Sequence, residues 1–297
     1  MGKTVLYIEC TNGISGDMTL GALIHAGANE VKIEEELKKL NPGEFELKPC
    51  FAQKSGILGI DLKVVIPESS HAPSHAHSHT HSHDHSHTTY TSIKNMIENS
   101  ELNDNVKNMA LSIFKVIGIA EAAVHDIPLE EVAFHEVGAV DSIVDIVGTA
   151  IAIDLLYVDK VYCSPVHDGQ GQIECRHGII PVPVPAVMEM LKKSEIPIVI
   201  NSDVTTEMVT PTGFGILEGL HAECKPVVEM MPDFVGYGFG NRETGRFNAV
   251  RVIIGEEFDE ERHIYLRDRR HLMIKNKYAV EQDNDSEEKQ TDNDIEE

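Results

Sequence analysis

Between Phe134 and Ile153 the chain is almost wholly apolar or small, and into that run it places His135, Glu136, Asp141 and Asp145. At about 100° per residue, Val140, Ile143, Val144, Val147 and Ile151 fall on one stripe, while Asp141 and Asp145 stand one turn apart on another face. Ser142, Gly148, Thr149 and Ala152 keep that second face small and leave room beside the carboxylates. The pattern predicts a buried helix with an acid-bearing groove, entered just after His135 and Glu136. Ionised carboxylates in apolar surroundings are costly without a partner, so a cation, a basic side chain or a proton has to be close by. The plainer reading makes Asp141 the helix N-cap and turns Asp145 to water.

Around this helix the chain alternates strand and helix signals, which predicts an α/β fold with a mixed sheet and flanking helices. Val5 to Glu9 reads as a strand. Residues 10–17 then form a glycine-bearing turn, and Met18 to His25 reads as a helix closed by Gly27. Ser15 is placed as its N-cap, and Asp17 lies in its first turn. Free backbone amides at such a helix start suit an anion, with Asp17 either complementing the helix dipole or reaching a metal that bridges to it. Val31 to Leu40 follows as a helix, Glu44 to Phe51 and Gly59 to Pro67 as strands, and Tyr90 to Val124 as two helices broken near Asn99 and Ser100.

His71 to His87 is the strongest compositional anomaly, with eight histidines in seventeen residues: His71, His75, His77, His79, His81, His83, His85 and His87. Nothing in it can build a core, so a disordered, solvated insertion is expected. Imidazole binds nickel, zinc and copper alike, and an alternating array offers many weak sites. Capture or hand-over of a divalent transition metal suits it better than catalysis; an inert linker is the alternative.

Glu131 to Glu136 reads as a short strand that leaves His135 and Glu136 at a strand end, where the functional groups of open α/β sheets gather. Lys160 to Ser164 is a strand, Pro165 to His177 a glycine-rich loop, and Pro181 to Pro185 rigid extended chain leading into a helix from Ala186 to Lys193. His167, Cys175 and His177 are either metal ligands or ordinary loop residues. Thr205 to Gly213 gathers hydroxyls and a glycine directly before a helix from Phe214 to Leu220, a second anion-friendly helix start. Val227 to Val235 and Phe247 to Gly255 read as two strands around a glycine loop, with Arg242 offering a bidentate grip on phosphate or carboxylate. Residues 1–68 and 90–256 are therefore expected to form one α/β core, with 69–89 a histidine-rich linker and 257–297 a disordered acidic tail.

The formal charge of −24 opposes nucleic acid and anionic membrane as partners. Glu281 to Glu297 holds nine acids and one lysine, so the tail supplies a third of that excess. Five scattered cysteines without a C-x-x-C pair fit reduced thiols and a cytoplasmic location, and the amino terminus has no basic region followed by a hydrophobic signal core.

Taken together and in order, Gly13-Ile-Ser-Gly-Asp17, the histidine tract, Phe134 to Gly148, His177-Gly178 with Pro181-Val-Pro, Thr210-Pro-Thr-Gly213 and Gly236-Tyr-Gly resemble the LarC family over about Val5 to Gly255. The resemblance implies insertion of nickel into pyridinium-3,5-bisthiocarboxylic acid mononucleotide, giving the nickel-pincer cofactor of lactate racemase. It further implies a nickel chelatase of the lyase class that uses CTP with Mn2+ or Mg2+, and it gives the tract a metal, Ni2+. Gly13, Ser15, Gly16, Asp17, Thr210, Thr212 and Gly213 would hold the mononucleotide. His135, Glu136, Asp141 and Asp145 would do the chemistry, with His135, Asp141 and the tract histidines on the metal. The chain departs from the family pattern at Ala133, often histidine, and at Glu9, often aspartate. Nothing after Gly255 resembles the family's carboxy-terminal domain, so a separate carboxy-terminal partner polypeptide is expected, besides a lactate racemase-type apoenzyme as recipient and a homo-oligomeric state. Two other classes stay open: a nickel store or metallochaperone without chemistry, and metal-dependent phosphohydrolysis.

Overall fold

A computed structural model of the chain describes residues 2–67, 88–134, 140–175, 178–225 and 228–258. Lys3–Glu256 forms one compact unit; Met1–Gly2 with Glu257–Glu297 forms a second, described only at Gly2, Glu257 and Phe258. The histidine tract and nearly all of the acidic tail lie outside the described residues.

The elements run β1 (Thr4–Glu9), α1 (Gly16–His25), α2 (Glu30–Lys38), β2 (Glu46–Lys54), β3 (Ile57–Val65), β4 (Thr88–Thr89), α3 (Tyr90–Glu98), α4 (Asp104–His125), β5 (Ala133–Phe134) and α5 (Val140–Leu155). They continue with β6 (Lys160–Cys163), β7 (Val166–Asp168), β8 (Gly171–Cys175), β9 (Gly178–Val182), α6 (Pro185–Leu191), β10 (Ile198–Ile200), α7 (Pro211–Gly219), β11 (Glu223–Cys224), β12 (Met230–Phe239) and β13 (Ala249–Glu257). Seven strands make one mixed sheet in the order β11-β6-β1-β13-β12-β3-β2. β1 is parallel to β6 and antiparallel to β13, while β3 is parallel to β12 and antiparallel to the edge strand β2. The α/β class with a mixed sheet is what the alternation of patterns predicts.

Helix α1 is the keystone. Met18, Thr19, Leu20, Ala22, Leu23 and Ile24 are all buried, because α1 lies between strands β3 and β12 on one side and α5 on the other. Backbone contact of this kind needs missing side chains. A Cβ at Gly238 would stand 1.8 Å from the Met18 carbonyl oxygen, and one at Gly236 would stand 2.0 Å from that of Ala22. The stretch expected as a glycine loop is therefore the end of β12, its glycines fixed by helix-on-sheet approach rather than by a turn. Gly148 does the same for α5, where a Cβ would stand 2.7 Å from Leu20 Cδ2. That small residue serves the α1–α5 contact and does not widen a groove beside the carboxylates.

Two further expectations change. β5 pairs with β4 in a separate ribbon, so Phe134 does not end a strand of the main sheet. The predicted loop from Pro165 contains β7, whose parallel partner β10 comes later in the chain and gives no local signal, and β8, which pairs antiparallel with β9, the next strand in the chain. Helix α4 is long and apolar enough, by length and composition, to cross a membrane. Its stripe of Val106, Ala110, Ile113, Phe114 and Ile117 instead packs within a helical layer against α5, α6 and α7.

Candidate functional site

Two helix starts meet at the carboxyl end of β1. The turn after β1 is zipped to the segment before α7: Ile14 N–H donates to Met208 O at 2.9 Å, and Thr210 N–H donates to Ile14 O at 3.0 Å. Glycine is required on both sides of this seam. Gly13 has φ +86°, and a Cβ there would stand 2.2 Å from Met208 O; a Cβ on Gly213 would stand 2.3 Å from Ile14 O. Both glycines thus hold the turns together, behind the surface that faces outward.

Asp168 fixes this seam from beneath. Its Oδ1 accepts from the backbone N–H of Gly169 (2.8 Å), Met208 (2.7 Å) and Val209 (3.2 Å), in full burial. Burial pushes its carboxyl up from the usual range, and those amides together with Arg242 pull it back only in part.

In front of the seam lies a cleft of about 1320 Å³. Ser15, Gly16 and Asp17 of α1, Asp141, Ser142 and Asp145 of α5, and Thr210, Pro211 and Thr212 of α7 all line it. The acidic groove predicted on α5 and both predicted helix starts therefore open into one space. Thr210 is a true N-cap, its hydroxyl accepting from Gly213 N–H at 3.0 Å. Ser15 occupies the same position on α1 without capping it; its hydroxyl donates to Asp17 Oδ1.

Asp145 is a half-buried residue with an enclosed carboxylate. Its Oδ1 is sealed from solvent and has no hydrogen-bond partner, and a Cβ on Gly16 would stand 2.8 Å from its Oδ2. Burial holds the Asp145 carboxyl well above its ordinary range, and the negative charges of Asp17 and then Asp141 add to this. Burial also raises Asp17, against the Ser15 hydroxyl and nearby backbone N–H groups that favour its charged form; Asp61 adds a smaller upward push. Asp141 is exposed in the first turn of α5, where its Oδ1 accepts from Ser142 N–H at 2.8 Å.

His135 and Glu136 lie outside the described residues, between Phe134 and Asp141, which both line the cleft. His177 is likewise outside them. Cys175 of β8 lines the cleft; His167 of β7 does not, and its Nδ1 is buried without a partner. Arg242 reaches the cleft already paired with Glu207 at 2.6 Å, so its grip is on a side chain of the protein itself. Three lining residues escape the sequence reading. Glu121 and His125, 3.5 Å apart on the last turns of α4, carry an i,i+4 signal that could have found them. Lys63 on β3 carries none. Among the described residues, no three His, Cys, Asp or Glu side chains are gathered closely enough to hold a metal ion.

Fold and site together define an α/β protein whose helix starts and carboxylates share one cleft. Comparison with known proteins narrows the class. The profile of the family described as "Nickel insertion protein" matches residues 6–289, and the chain belongs to that family. The match runs past Gly255, where the resemblance read from motifs ends. A relative from Acetivibrio thermocellus, named pyridinium-3,5-bisthiocarboxylic acid mononucleotide nickel insertion protein, is 47% identical over 258 residues, 87% of this chain and 62% of that protein. Relatives of the same name from Lactiplantibacillus plantarum (46% identical; 85% of this chain, 61% of that protein) and Geobacillus kaustophilus (45%; 85% and 60%) are similar. The chain spans about three fifths of the length of these curated relatives. No solved structure matches it.

Proposed function

We propose that this chain takes part in inserting nickel into pyridinium-3,5-bisthiocarboxylic acid mononucleotide, the compound in its relatives' names. The observation that carries this reading is the single cleft into which the α1 start, the α7 start and the α5 carboxylates all open. In it the mononucleotide's phosphate meets the Gly13–Asp17 and Thr210–Gly213 turns, while His135, Glu136, Asp141 and Asp145 face the metal. Nickel enters as substrate, gathered by the histidine tract and passed to the cleft. Metal–sulfur bond formation needs no protein nucleophile; holding a desolvated metal against two thiocarboxylates is most of the task. CTP with Mn2+ or Mg2+, a carboxy-terminal partner polypeptide, a lactate racemase-type acceptor, a homo-oligomer and a cytoplasmic setting complete the proposal.

The test is reconstitution: purified chain, Ni2+ and the mononucleotide, with and without CTP and with and without the carboxy-terminal part of a relative, read by mass spectrometry of the nickel-bearing product. Product that depends on the chain supports the reading. Nickel binding with no product under any combination leaves a store or metallochaperone. Phosphate release from a nucleotide, abolished in Asp17→Asn and Asp141→Asn with nickel binding intact, would favour phosphohydrolysis instead.

A further inference from the structure

We propose that Arg242, set in place by the buried Glu207, is the residue that takes the phosphate group of the ligand, so that of the two helix starts the phosphate lies with α7 and not with α1. The identity of the ligand rests on the mononucleotide reading above.

Among the described residues six acids line the cleft, against one lysine, one arginine and His125, which lies 3.5 Å from Glu121. A phosphate entering it needs a protein cation, because helix amides alone do not offset that much negative charge. Lys63 lies 3.6 Å from Asp61, whose charge also reaches Asp17, so it belongs to the acid-bearing α1 side. Arg242 is placed differently. Its Nη2 meets Glu207 Oε2 at 2.6 Å, and the two side chains are unequally covered, 5% exposed for Glu207 and 47% for Arg242. A carboxylate buried this deeply has to be paired, and it holds the arginine by one end. A guanidinium carries five N–H donors in a planar fork, so this single contact leaves further donors for a bidentate grip on phosphate oxygens.

The surroundings of the pair suit an anion. Thr206 and Asn241, next in sequence to Glu207 and Arg242, line the cleft and carry no charge. The first turn of α7 has no acid, whereas that of α1 has Asp17. Thr212, 8% exposed and lining the same cleft, has a hydroxyl that makes no hydrogen bond among the described residues, which leaves it a donor for a ligand oxygen. The Arg242 charge also favours ionised Asp168, whose Oδ1 fixes Met208 and Val209 by their amides. The guanidinium is therefore tied at Glu207 and near Asp168 to the segment that opens α7.

The test titrates the full chain, by calorimetry in phosphate-free buffer, with nicotinic acid mononucleotide and with nicotinic acid riboside, which lacks only the phosphate. Wild type is expected to bind the mononucleotide at least tenfold more tightly than the riboside. Arg242→Ala should lose that preference while binding the riboside as wild type does; a merely structural role would weaken both ligands together. Arg246→Ala breaks the ion pair to Asp203 on the same loop, away from the cleft lining, and should keep the preference. Glu207→Ala should lower the preference at least threefold, and Glu207→Gln, which keeps an acceptor, should restore it. No preference in wild type, an unchanged preference in Arg242→Ala, or its equal loss in Arg246→Ala overturns the proposal, and an unchanged preference in Glu207→Ala overturns the positioning role. A wild type that binds neither ligand overturns the mononucleotide reading instead. Inorganic phosphate, followed by 31P resonance broadening, then decides on Arg242: broadening lost in Arg242→Ala supports the site, and none, or equal broadening in both, overturns it. Should Arg242→Ala unfold by circular dichroism, Arg242→Lys, which keeps a charge opposite Glu207 but not the fork, takes its place with at least a threefold loss of preference expected.

Discussion

Thr210 and Ser15 each precede a helix, each carries a hydroxyl, and each lines the same cleft, yet they are used in opposite ways. Thr210 closes its helix by accepting from Gly213 N–H, and Asp168 locks the backbone leading into it through the Met208 and Val209 amides. Ser15 gives its hydroxyl to Asp17, so the α1 start keeps a carboxylate at its mouth, in the same cleft as Asp145 of α5. The α7 start is thus capped by its own side chain, whereas at the α1 start the serine hydroxyl serves a carboxylate and makes no cap bond. Two similar helix starts thus differ in what their hydroxyls answer, a helical amide at α7 and a carboxylate at α1.

The sharpest way to break this contrast is to remove what locks the α7 side. Asp168→Ala would leave three buried amides without an acceptor, and at about 1–3 kcal/mol each the chain should lose at least ~3 kcal/mol or fail to fold, measured by urea unfolding. A loss under about 1 kcal/mol would show the seam to be held elsewhere. Next comes Gly13→Ala, which forces a Cβ against Met208 O at a positive φ. A cost of about 2–5 kcal/mol is expected, from overpacking together with left-handed strain. The third comparison sets the caps side by side. Thr210→Ala should cost about 1 kcal/mol, and Ser15→Ala should stay within about 0.5 kcal/mol because no helical amide loses an acceptor. Equal costs would erase the distinction.

The smallest effect is one of pH. The Asp168 carboxyl is raised in the fold, so just above its ordinary value of about 3.8 the folded chain holds more protons than the unfolded one. Its contribution to stability therefore falls as pH rises from that value through the folded one. Asp168→Asn keeps an acceptor for the amides but cannot ionise, so its stability relative to wild type should rise between pH 4 and 7, read as a shift in urea midpoint. A midpoint difference independent of pH would remove the titration of Asp168 from the account.

Much of the scaffold was legible because its signals are local. The apolar stripe of Ile143, Val144, Val147 and Ile151 is buried as its period demands, and the strand at Val5 to Glu9 and the break between α3 and α4 fall where the residues place them. Asp17, Asp141, Asp145, Thr210 and Thr212, picked from turn and helix chemistry, all reach the cleft. What was missed was non-local. β7 exists through the distant β10, Gly236 and Gly238 answer to α1, and Lys63 lines the cleft only because of where β3 runs.

The amino-acid sequence by itself determined most of the helices, the strands with a clear pattern of their own, and that acids sit inside an apolar helix, since side-chain periodicity and turn chemistry act over a few residues. Only the tertiary structure decided that Asp17 and Asp145 share one cleft, that Ser15 serves a carboxylate instead of its helix, and that Arg242 is held by Glu207. The reason is physical: these relations depend on how closely α1 can approach β12 and α5. That distance is set by Gly236 and Gly238 meeting the α1 backbone and by Gly148 meeting the Leu20 side chain, all from remote parts of the chain.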